Sequence, residues 1–416
     1  TPCGTNGWGW WRRWQPPEKP RGETAPPIEP RAGRRRRSRP PSTTRRKGIR
    51  QEKSPWIATD SNRYCASYSK KKPSYPIGKA FKEYLQEYGR EEKITVKYSD
   101  LLYWHESIPL YDKEGNDTLW RSVIYPQSDQ DQIFKGLTEI YGLLKTGGNM
   151  EVIEHLTVAQ VDYCQFGNSN PFRVKIKNTF NDVHDYFYVK KVDASRVYGL
   201  ELEHILSPNR IFYIIDDDTI IEEHIMGIPG DMFIDDYLSQ LKYQEVSLAK
   251  EFVKFNERCF ALLLGDMRSY NYVLNITPDF DKRQYRARCI DFDQFCYEGR
   301  RNNYLPQFYK ENLKIIEFCA RVLPPETIYQ YQYEERSLIK KRYQVAKYRL
   351  HKLLDSMTEE VLSKPEKIKS LADDMNKYHN TSQFKTKDTM GKIMRLHLKL
   401  MFDKPKLTLN GKVRYK

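Results

Sequence analysis

Two polar residues five positions apart stand just ahead of an apolar run that is typical of a β-strand. Asp266 and Asn271 form a D-x-x-x-x-N pattern, and Tyr272-Val273-Leu274 comes directly after it. Phosphoryl transfer needs a carboxylate that orients the attacking hydroxyl and a nearby amide oxygen that holds a metal ion. The pattern alone is common, so its weight depends on the residues further along the chain.

A second carboxylate follows Asn271 by twenty residues, at the end of another apolar stretch. It is Asp291, in Cys289-Ile290-Asp291-Phe292-Asp293. A carboxylate placed in this order can hold Mg²⁺ against the phosphates of a nucleotide. We therefore interpret Asp266 as the catalytic residue that acts on the acceptor hydroxyl. Asn271 and Asp291 are interpreted as the Mg²⁺ ligands of an ATP site.

The same chemistry requires a lysine on an upstream strand and an acid on the helix after it. Tyr186–Lys191 supplies two lysines, and strand alternation places Lys190 and Lys191 on opposite faces. Lys190 fits better because it follows Val189. On the next helix Glu201 and Glu203 both qualify, and Glu201 is favoured because it shares a face with apolar residues. Both choices stay open at this stage.

Two further segments are candidates for contact with the nucleotide. The stretch 220–227 is typical of a strand that runs into an irregular hinge, where the backbone groups of Glu223 and Ile225 would meet an adenine. The loop 166–171 contains one glycine, and Gly167, Asn168 and Ser169 would offer backbone groups to the phosphates.

The elements that must position these residues are strands first and helices afterwards. Strands are predicted at 172–176, 186–192, 211–215 and 219–223, and helices at 78–88, 132–145, 195–206, 237–264, 309–322 and 334–357. The expected divisions are a disordered basic tail (1–75), an N-terminal helical extension (76–150), a β-rich lobe (151–225), a helical lobe (226–357) and a C-terminal helical extension (358–416). The fold class is therefore α+β.

With these motifs in place, the stretch from about 160 to 350 resembles the aminoglycoside phosphotransferase and choline kinase group and the lipopolysaccharide-core sugar kinases of the protein-kinase-like superfamily. Those families carry H-G-D-x-x-x-x-N followed by an I-D-F-D type motif, and their hinge often reads acid-x-x-x-Gly, as Glu223 to Gly227 does. The resemblance implies a bilobal protein-kinase-like fold, with Lys190 on the phosphates and held by Glu201. Leu264 departs from the pattern, since these families usually have His there.

The composition and charge of the chain indicate the cellular compartment in which this chemistry would take place. Of the net charge of +15, eleven charges lie in residues 1–50, so the remainder of the chain is close to balanced. The seven cysteines form no C-x-x-C pair, and no apolar run of 18 residues occurs. These features predict a cytoplasmic protein without a membrane span.

The leading hypothesis is an ATP- and Mg²⁺-dependent phosphotransferase acting on a hydroxyl of a sugar, small metabolite, lipid headgroup or protein. A pseudokinase, which keeps the fold as a binding or scaffold protein without turnover, is the alternative. Nucleic acid is expected as a partner only through the basic tail, where arginines and tryptophans are concentrated.

Overall fold

The computed structural model describes residues 72–112, 115–146, 153–166, 168–241, 245–279 and 282–403, with short strands at Lys406–Leu407 and Val413–Arg414. The packed unit begins at Lys72. Lys72, Ser74 and Tyr75 hydrogen-bond to the chain around residue 193, so the packed chain starts a few residues before the expected tail boundary at about residue 75. The remainder of the expected tail lies outside the described residues.

Seven antiparallel strands form the main sheet, in the spatial order β1-β2-β3-β4-β5-β7-β6. The strands are β1 (Glu106–Tyr111), β2 (Asp117–Ile124), β3 (Leu156–Cys164), β4 (Phe172–Asn178), β5 (His184–Lys191), β6 (Tyr213–Asp216) and β7 (Thr219–Glu223). Neighbouring side chains on a strand point to opposite faces. The alternation in Phe172–Ile176 therefore places Phe172, Val174 and Ile176 on one face, and all three are fully buried.

A long helix covers this apolar face. Helix α2 (Gln127–Thr146) contributes Leu137, Ile140 and Leu144 to a core that also contains Val161, Val174, Phe187, Val189 and Ile221 from four strands. Helix α1 (Lys79–Glu87) precedes it, and the hairpin β1–β2 lies between the two helices in sequence. The extension 76–150 was expected to be helical. It contributes two strands to the sheet as well.

The remaining helices follow the sheet in sequence, except for α3, which connects β5 to β6. They are α3 (Ala194–Leu206), α4 (Glu245–Ala261), α5 (Leu313–Val322), α6 (Pro325–Val345), α7 (Lys347–Glu359), α8 (Pro365–His379) and α9 (Met390–Phe402). A second, three-stranded sheet lies among them: β8 (Ile228–Pro229) pairs with β9 (Tyr272–Asp279), which pairs with β10 (Lys282–Cys289).

The protein is thus a mixed α/β chain with an antiparallel sheet followed by a helical part. In this sheet β7 lies between β5 and β6, and helix α3 connects β5 to β6 along the chain. The predicted helix 237–264 begins later, at Glu245, and the predicted helix 334–357 is divided at Ala346. Among the described helices, none combines the length and the hydrophobicity that a bilayer span requires.

Candidate active site

The two acidic motifs lie together at the open end of one β-hairpin, one before its first strand and the other after its second. β9 begins directly after Asn271, β10 ends two residues before Asp291, and Tyr272 faces Cys289 in the ladder. One step beyond the ladder, the N–H of Ile290 donates to the carbonyl oxygen of Asn271 over 3.1 Å. Residues opposite each other in an antiparallel pair have Cα atoms about 5 Å apart. The hairpin register therefore makes Asn271 and Asp291 neighbours, although twenty residues separate them.

Asn271 is also joined to Asp266. Its side-chain nitrogen donates to the carbonyl oxygen of Asp266 over 2.7 Å and lies 3.5 Å from the Asp266 carboxylate. Its Oδ1 has no hydrogen bond within the described part of the chain. Burial raises the pKa of Asp266, Arg268 opposes that rise, and the carboxylate of Asp291 adds to it. The structure therefore brings Asp266, Asn271 and Asp291 together.

The loop that carries Asp266 has unusual backbone geometry. Asp266 has a φ of 56°, in the left-handed region that L residues seldom adopt and that Asp and Asn tolerate best. Its N–H donates to the Tyr309 hydroxyl over 3.0 Å. A Cβ on the preceding Gly265 would lie 2.6 Å from the main-chain oxygen of Gln294. Glycine is therefore required there for the loop to pack on the turn after Asp291.

Arg268 orients the Asp266 carboxylate. Its Nε donates to Asp266 over 2.8 Å, and its Nη1 donates to Glu311 over 2.9 Å. An ion pair to a fixed arginine favours the charged form of the carboxylate. Arg268 therefore limits the rise that burial causes in the pKa of Asp266.

Lys190 is buried at the end of β5, whereas Lys191 is exposed. The Lys190 ammonium donates to Glu222 over 2.7 Å. Lys190 is paired with Ile220 in the ladder, and Glu222, two residues further along β7, lies on the same face of the sheet. Burial lowers the pKa of Lys190, assisted by Arg196 and opposed by Glu222 and Asp291. The last contribution places Lys190 within electrostatic range of the candidate metal ligand.

The expected pair between Lys190 and Glu201 is wrong. Glu201 accepts from Arg90 over 2.7 Å and from Arg349 over 2.7 Å, on a face of α3 that packs toward the N-terminal extension and helix α7. Residue 201 lies five positions after Arg196, so the two side chains project about 140° apart around the helix. The face that turns toward β7 is that of Arg196. Glu203, the alternative, is also buried and accepts from Asn209 over 3.2 Å.

Arg196 links the sheet to the second acidic motif. Its Nη1 donates to Glu222 over 3.0 Å, and its Nη2 forms an ion pair with Asp293. Burial raises the pKa of Glu222, but Lys190 and Arg196 outweigh burial and hold that pKa below its ordinary value. Lys190, Glu222, Arg196 and Asp293 thus form one buried chain of alternating charge beside Asp291.

No protein-family model and no curated protein sequence matches the chain. Among solved structures, the complex of Rio2 kinase with ADP/Mg²⁺ and phosphoaspartate from Chaetomium thermophilum is similar to it, at 8% sequence identity and a TM-score of 0.28. The similarity covers 61% of this chain and 80% of that chain. Since so low a TM-score does not establish a shared fold, the site is interpreted from its own contacts.

The expected hinge runs from β7 to β8. The N–H of Glu223 donates to the carbonyl oxygen of Phe212 over 3.1 Å, so a base could be met only by the carbonyl of this residue. Ile225 is buried. A Cβ on Gly227 would lie 2.7 Å from the Asn275 side chain, so glycine lets the hinge approach β9 closely. The contact of Glu223 and Ile225 with a base stays a prediction.

The loop expected to cover the phosphates connects β3 to β4. Gly167 lies outside the described residues, Asn168 is exposed, and Ser169 is half-buried. The loop is fixed at Asn170, whose side chain donates to Cys164 over 3.1 Å and whose carbonyl accepts from Tyr98 over 3.0 Å. The contact of Asn168 and Ser169 with phosphate also stays a prediction.

The oxygen donors of Asn271 and Asp291 suit Mg²⁺ better than they suit a metal ion that takes all its ligands from the protein. Within the described residues no group of three or more His, Cys, Asp and Glu side chains is arranged to hold a metal ion. Mg²⁺ is usually held by one or two carboxylates together with substrate phosphates and water. Asp291 forms no ion pair with a described residue, and Asn271 offers an amide oxygen, so both residues fit that role.

Sequence reasoning missed four charged residues of this site, which are Glu222, Arg196, Arg268 and Asp293. Two of these four residues have sequence neighbours that indicate a buried charge. Glu222 is an acid in the otherwise apolar stretch 220–222, and Arg196 begins a run of apolar helix residues. Ionised side chains in such positions are seldom fully buried unless they are paired. Their partners cannot be read from the sequence.

Proposed function

We propose that the protein is an ATP- and Mg²⁺-dependent phosphotransferase that transfers the γ-phosphoryl group to a hydroxyl. The observation that carries the proposal is the β9–β10 hairpin, which joins Asn271 and Asp291 and sets both beside Asp266. Lys190 lies within electrostatic range of Asp291. In this proposal the sheet and the helical part are the two lobes of a kinase-like fold, and the nucleotide binds between them.

The residues have separate roles in this reaction. Asp266, held by Arg268, orients the acceptor hydroxyl and accepts its proton. Lys190 contacts the phosphates while Glu222 and Arg196 fix its ammonium. Asn271 and Asp291 would hold Mg²⁺, which supplies charge neutralisation at the phosphates. Catalysis in such a site is mostly positioning and electrostatic stabilisation.

Calorimetric titration and ATP consumption test this proposal together. Mg·ATP should bind, and excess chelator should weaken ATP binding, because Asp291 then faces the phosphates without a cation. Asp266→Asn keeps the side-chain shape and tolerates the left-handed φ. It should lower turnover by about 10²-fold or more with little change in affinity. Asp291→Asn should lower both the turnover and the affinity for Mg·ATP. Asp373→Asn, at an exposed position on α8, should change neither the turnover nor the affinity.

Turnover should be measured with sugar, choline-like, lipid-headgroup and protein acceptors. Equal ATP affinity with Mg²⁺ and with chelator would remove the metal assignment. Unchanged turnover in Asp266→Asn would remove the catalytic assignment.

A binding protein without turnover is the second candidate. The ion pair between Arg268 and Asp266 favours it, since it engages the carboxylate that must accept a proton. Leu264, which is fully buried where the resembling families have His, points the same way. Binding of Mg·ATP without consumption in the presence of any acceptor would place this candidate first.

A further inference from the structure

The short connection from helix α4 to Asp266 is strained at Leu263. This residue has a φ of 49°, in the left-handed region that a bulky side chain seldom adopts. Its N–H donates to the carbonyl oxygen of Phe260 over 3.2 Å, and its carbonyl oxygen accepts from the N–H of Cys296 over 3.0 Å. Such a backbone conformation persists only where the surrounding structure fixes it. These two hydrogen bonds therefore help to hold Leu263 in place.

The position of Leu263 affects both acidic motifs. Leu263 stands three residues before Asp266, and its partner Cys296 stands five residues after Asp291. Cys296 is itself left-handed, with a φ of 46°. Gly265 packs so closely on the turn that carries Cys296 that a Cβ would lie 2.6 Å from its main chain. A displacement at the end of α4 would therefore move the Asp266 loop against this turn.

A histidine from the C-terminal part of the chain contacts the end of α4. His397 on α9 is fully buried, and its Nε2 lies 3.0 Å from the carbonyl oxygen of Phe260, which also accepts from Leu263. Since a carbonyl oxygen only accepts, this nitrogen carries the proton. The two rings pack edge to face, with centroids 4.8 Å apart. The leucines at 262–264 have no polar side chain, so this hydrogen bond comes from outside the loop.

A second histidine fixes the tautomer of His397. His379, the last residue of α8, places its Nε2 3.0 Å from Nδ1 of His397. In a neutral His397 ring the proton on Nε2 leaves Nδ1 as an acceptor, so His379 donates to it. The His379 ring is stacked on Phe384, with centroids 5.5 Å apart. Helices α8 and α9 together therefore direct the N–H of His397 at Phe260.

We propose, on the basis of the proposed function, that His397 is a positioning residue of the phosphotransferase. His397 fixes the carbonyl oxygen of Phe260, this oxygen holds the strained Leu263, and Leu263 sets the path of the chain to Asp266. The C-terminal helices α8 and α9 then belong to the catalytic unit. His397 acts through the loop that carries Asp266, so it should affect turnover and leave the affinity for the nucleotide unchanged.

The test separates turnover from affinity, at a temperature where each variant is folded. His397→Leu removes both hydrogen bonds, and kcat should fall by about 10- to 100-fold, the scale for a misplaced catalytic group. The calorimetric Kd for Mg·ATP should stay unchanged. His397→Gln should restore most of kcat, because its amide can donate to Phe260 and accept from His379. Leu398→Ala is the matched control, because Leu398 is equally buried on α9 but projects about 100° away from His397.

Leu398→Ala should lower the unfolding temperature and leave kcat unchanged. An unchanged kcat in His397→Leu would overturn the proposal. An equal fall of kcat in Leu398→Ala would also overturn it, because general stability would then explain the loss. If His397→Leu does not fold, His379→Phe replaces it, since this variant keeps His397 and removes only the bond that fixes its tautomer. The kcat of His379→Phe should fall severalfold, and an unchanged value would count against His397.

Amide hydrogen exchange provides a measurement that does not depend on activity. Peptides covering residues 259–266 should exchange faster in His397→Leu than in Leu398→Ala or the unmodified chain, because the acceptor of the Leu263 N–H is no longer fixed. If the unmodified chain consumed no ATP with any acceptor, the proposed function would fail. Faster exchange would then still support His397 as the residue that fixes the loop, whereas unchanged exchange would reject this inference as well.

Discussion

Glu201 offers the sharpest test of how the packed unit is held together. Its carboxylate is fully buried and accepts from Arg90, Arg349, Tyr84 and Tyr213, at distances of 2.6 to 2.7 Å. Burial raises its pKa, but Arg90 and Arg349 outweigh burial and lower that pKa from 4.5 to about 2. At about 1.36 kcal/mol for each pH unit, this difference corresponds to about 3 kcal/mol of folding stability at neutral pH.

Glu201→Gln keeps the shape of the side chain and removes the charge, so both arginines lose their anion. The free energy of unfolding at pH 7, measured by urea titration, should fall by about 3 to 5 kcal/mol, the range for a broken buried ion pair. Because the folded-state pKa is depressed, the stabilisation is complete above about pH 4.5 and is lost as the pH falls toward 2. The gap between the two proteins should narrow over that interval.

Glu83→Gln is the control, because Glu83 lies on α1 with a 66% exposed side chain and should leave the unfolding curve unchanged. A loss below about 1 kcal/mol for Glu201→Gln, within the range of a surface pair, would refute the argument. A gap that stays constant from pH 7 to pH 2 would refute the assignment to ionisation even if the loss were large.

Three further predictions concern the candidate site. Glu222→Gln should weaken Mg·ATP binding in calorimetry, because Lys190 pairs with Glu222. Glu201→Gln, measured at a temperature where it is folded, should leave that binding unchanged. The reverse result would restore the pairing of Lys190 with Glu201. Gly265→Ala should destabilise the protein by about 1 to 3 kcal/mol in urea titration, since the new methyl meets the main chain of residue 294; an unchanged midpoint would show that the loop can move aside. The acid limb of the pH profile of kcat/KM should lie above the ordinary pKa of an aspartate, because burial raises the pKa of Asp266. Arg268→Met should move this limb to still higher pH. If the limb does not move, it belongs to another group.

Motif spacing singled out the two residues that stand at the open end of the β9–β10 hairpin. Asn271 stands just before an apolar stretch and Asp291 at the end of a second, short one, and the antiparallel pairing of β9 with β10 brings these two positions together. Strand alternation placed Lys190 and Lys191 on opposite faces, the motif pattern favoured Lys190, and Lys190 is the buried member of the pair.

Ion-pair partners across elements were not predictable in the same way. Helical periodicity placed Glu201 on a buried face of α3, which is confirmed, but two buried faces exist and periodicity does not say which one meets β7. The strands β1 and β2 were missed because their apolar–polar alternation is weak, and most of their residues are half-buried or exposed. Contacts of Lys72 depend on the path of an irregular segment, which no periodic pattern encodes.

The ion pairs of Glu201 also have a consequence for the order of events during synthesis. Arg90 lies 111 residues before Glu201, and Arg349 lies 148 residues after it. At ribosomal rates the second arginine emerges on the order of 10 s after the carboxylate. Until then the carboxylate lacks half of its counter-charge, so helices α1 and α3 should dock incompletely. Ribosome-bound chains that stop before residue 349 should therefore be cleaved by protease around residues 79–90, whereas released chains should resist.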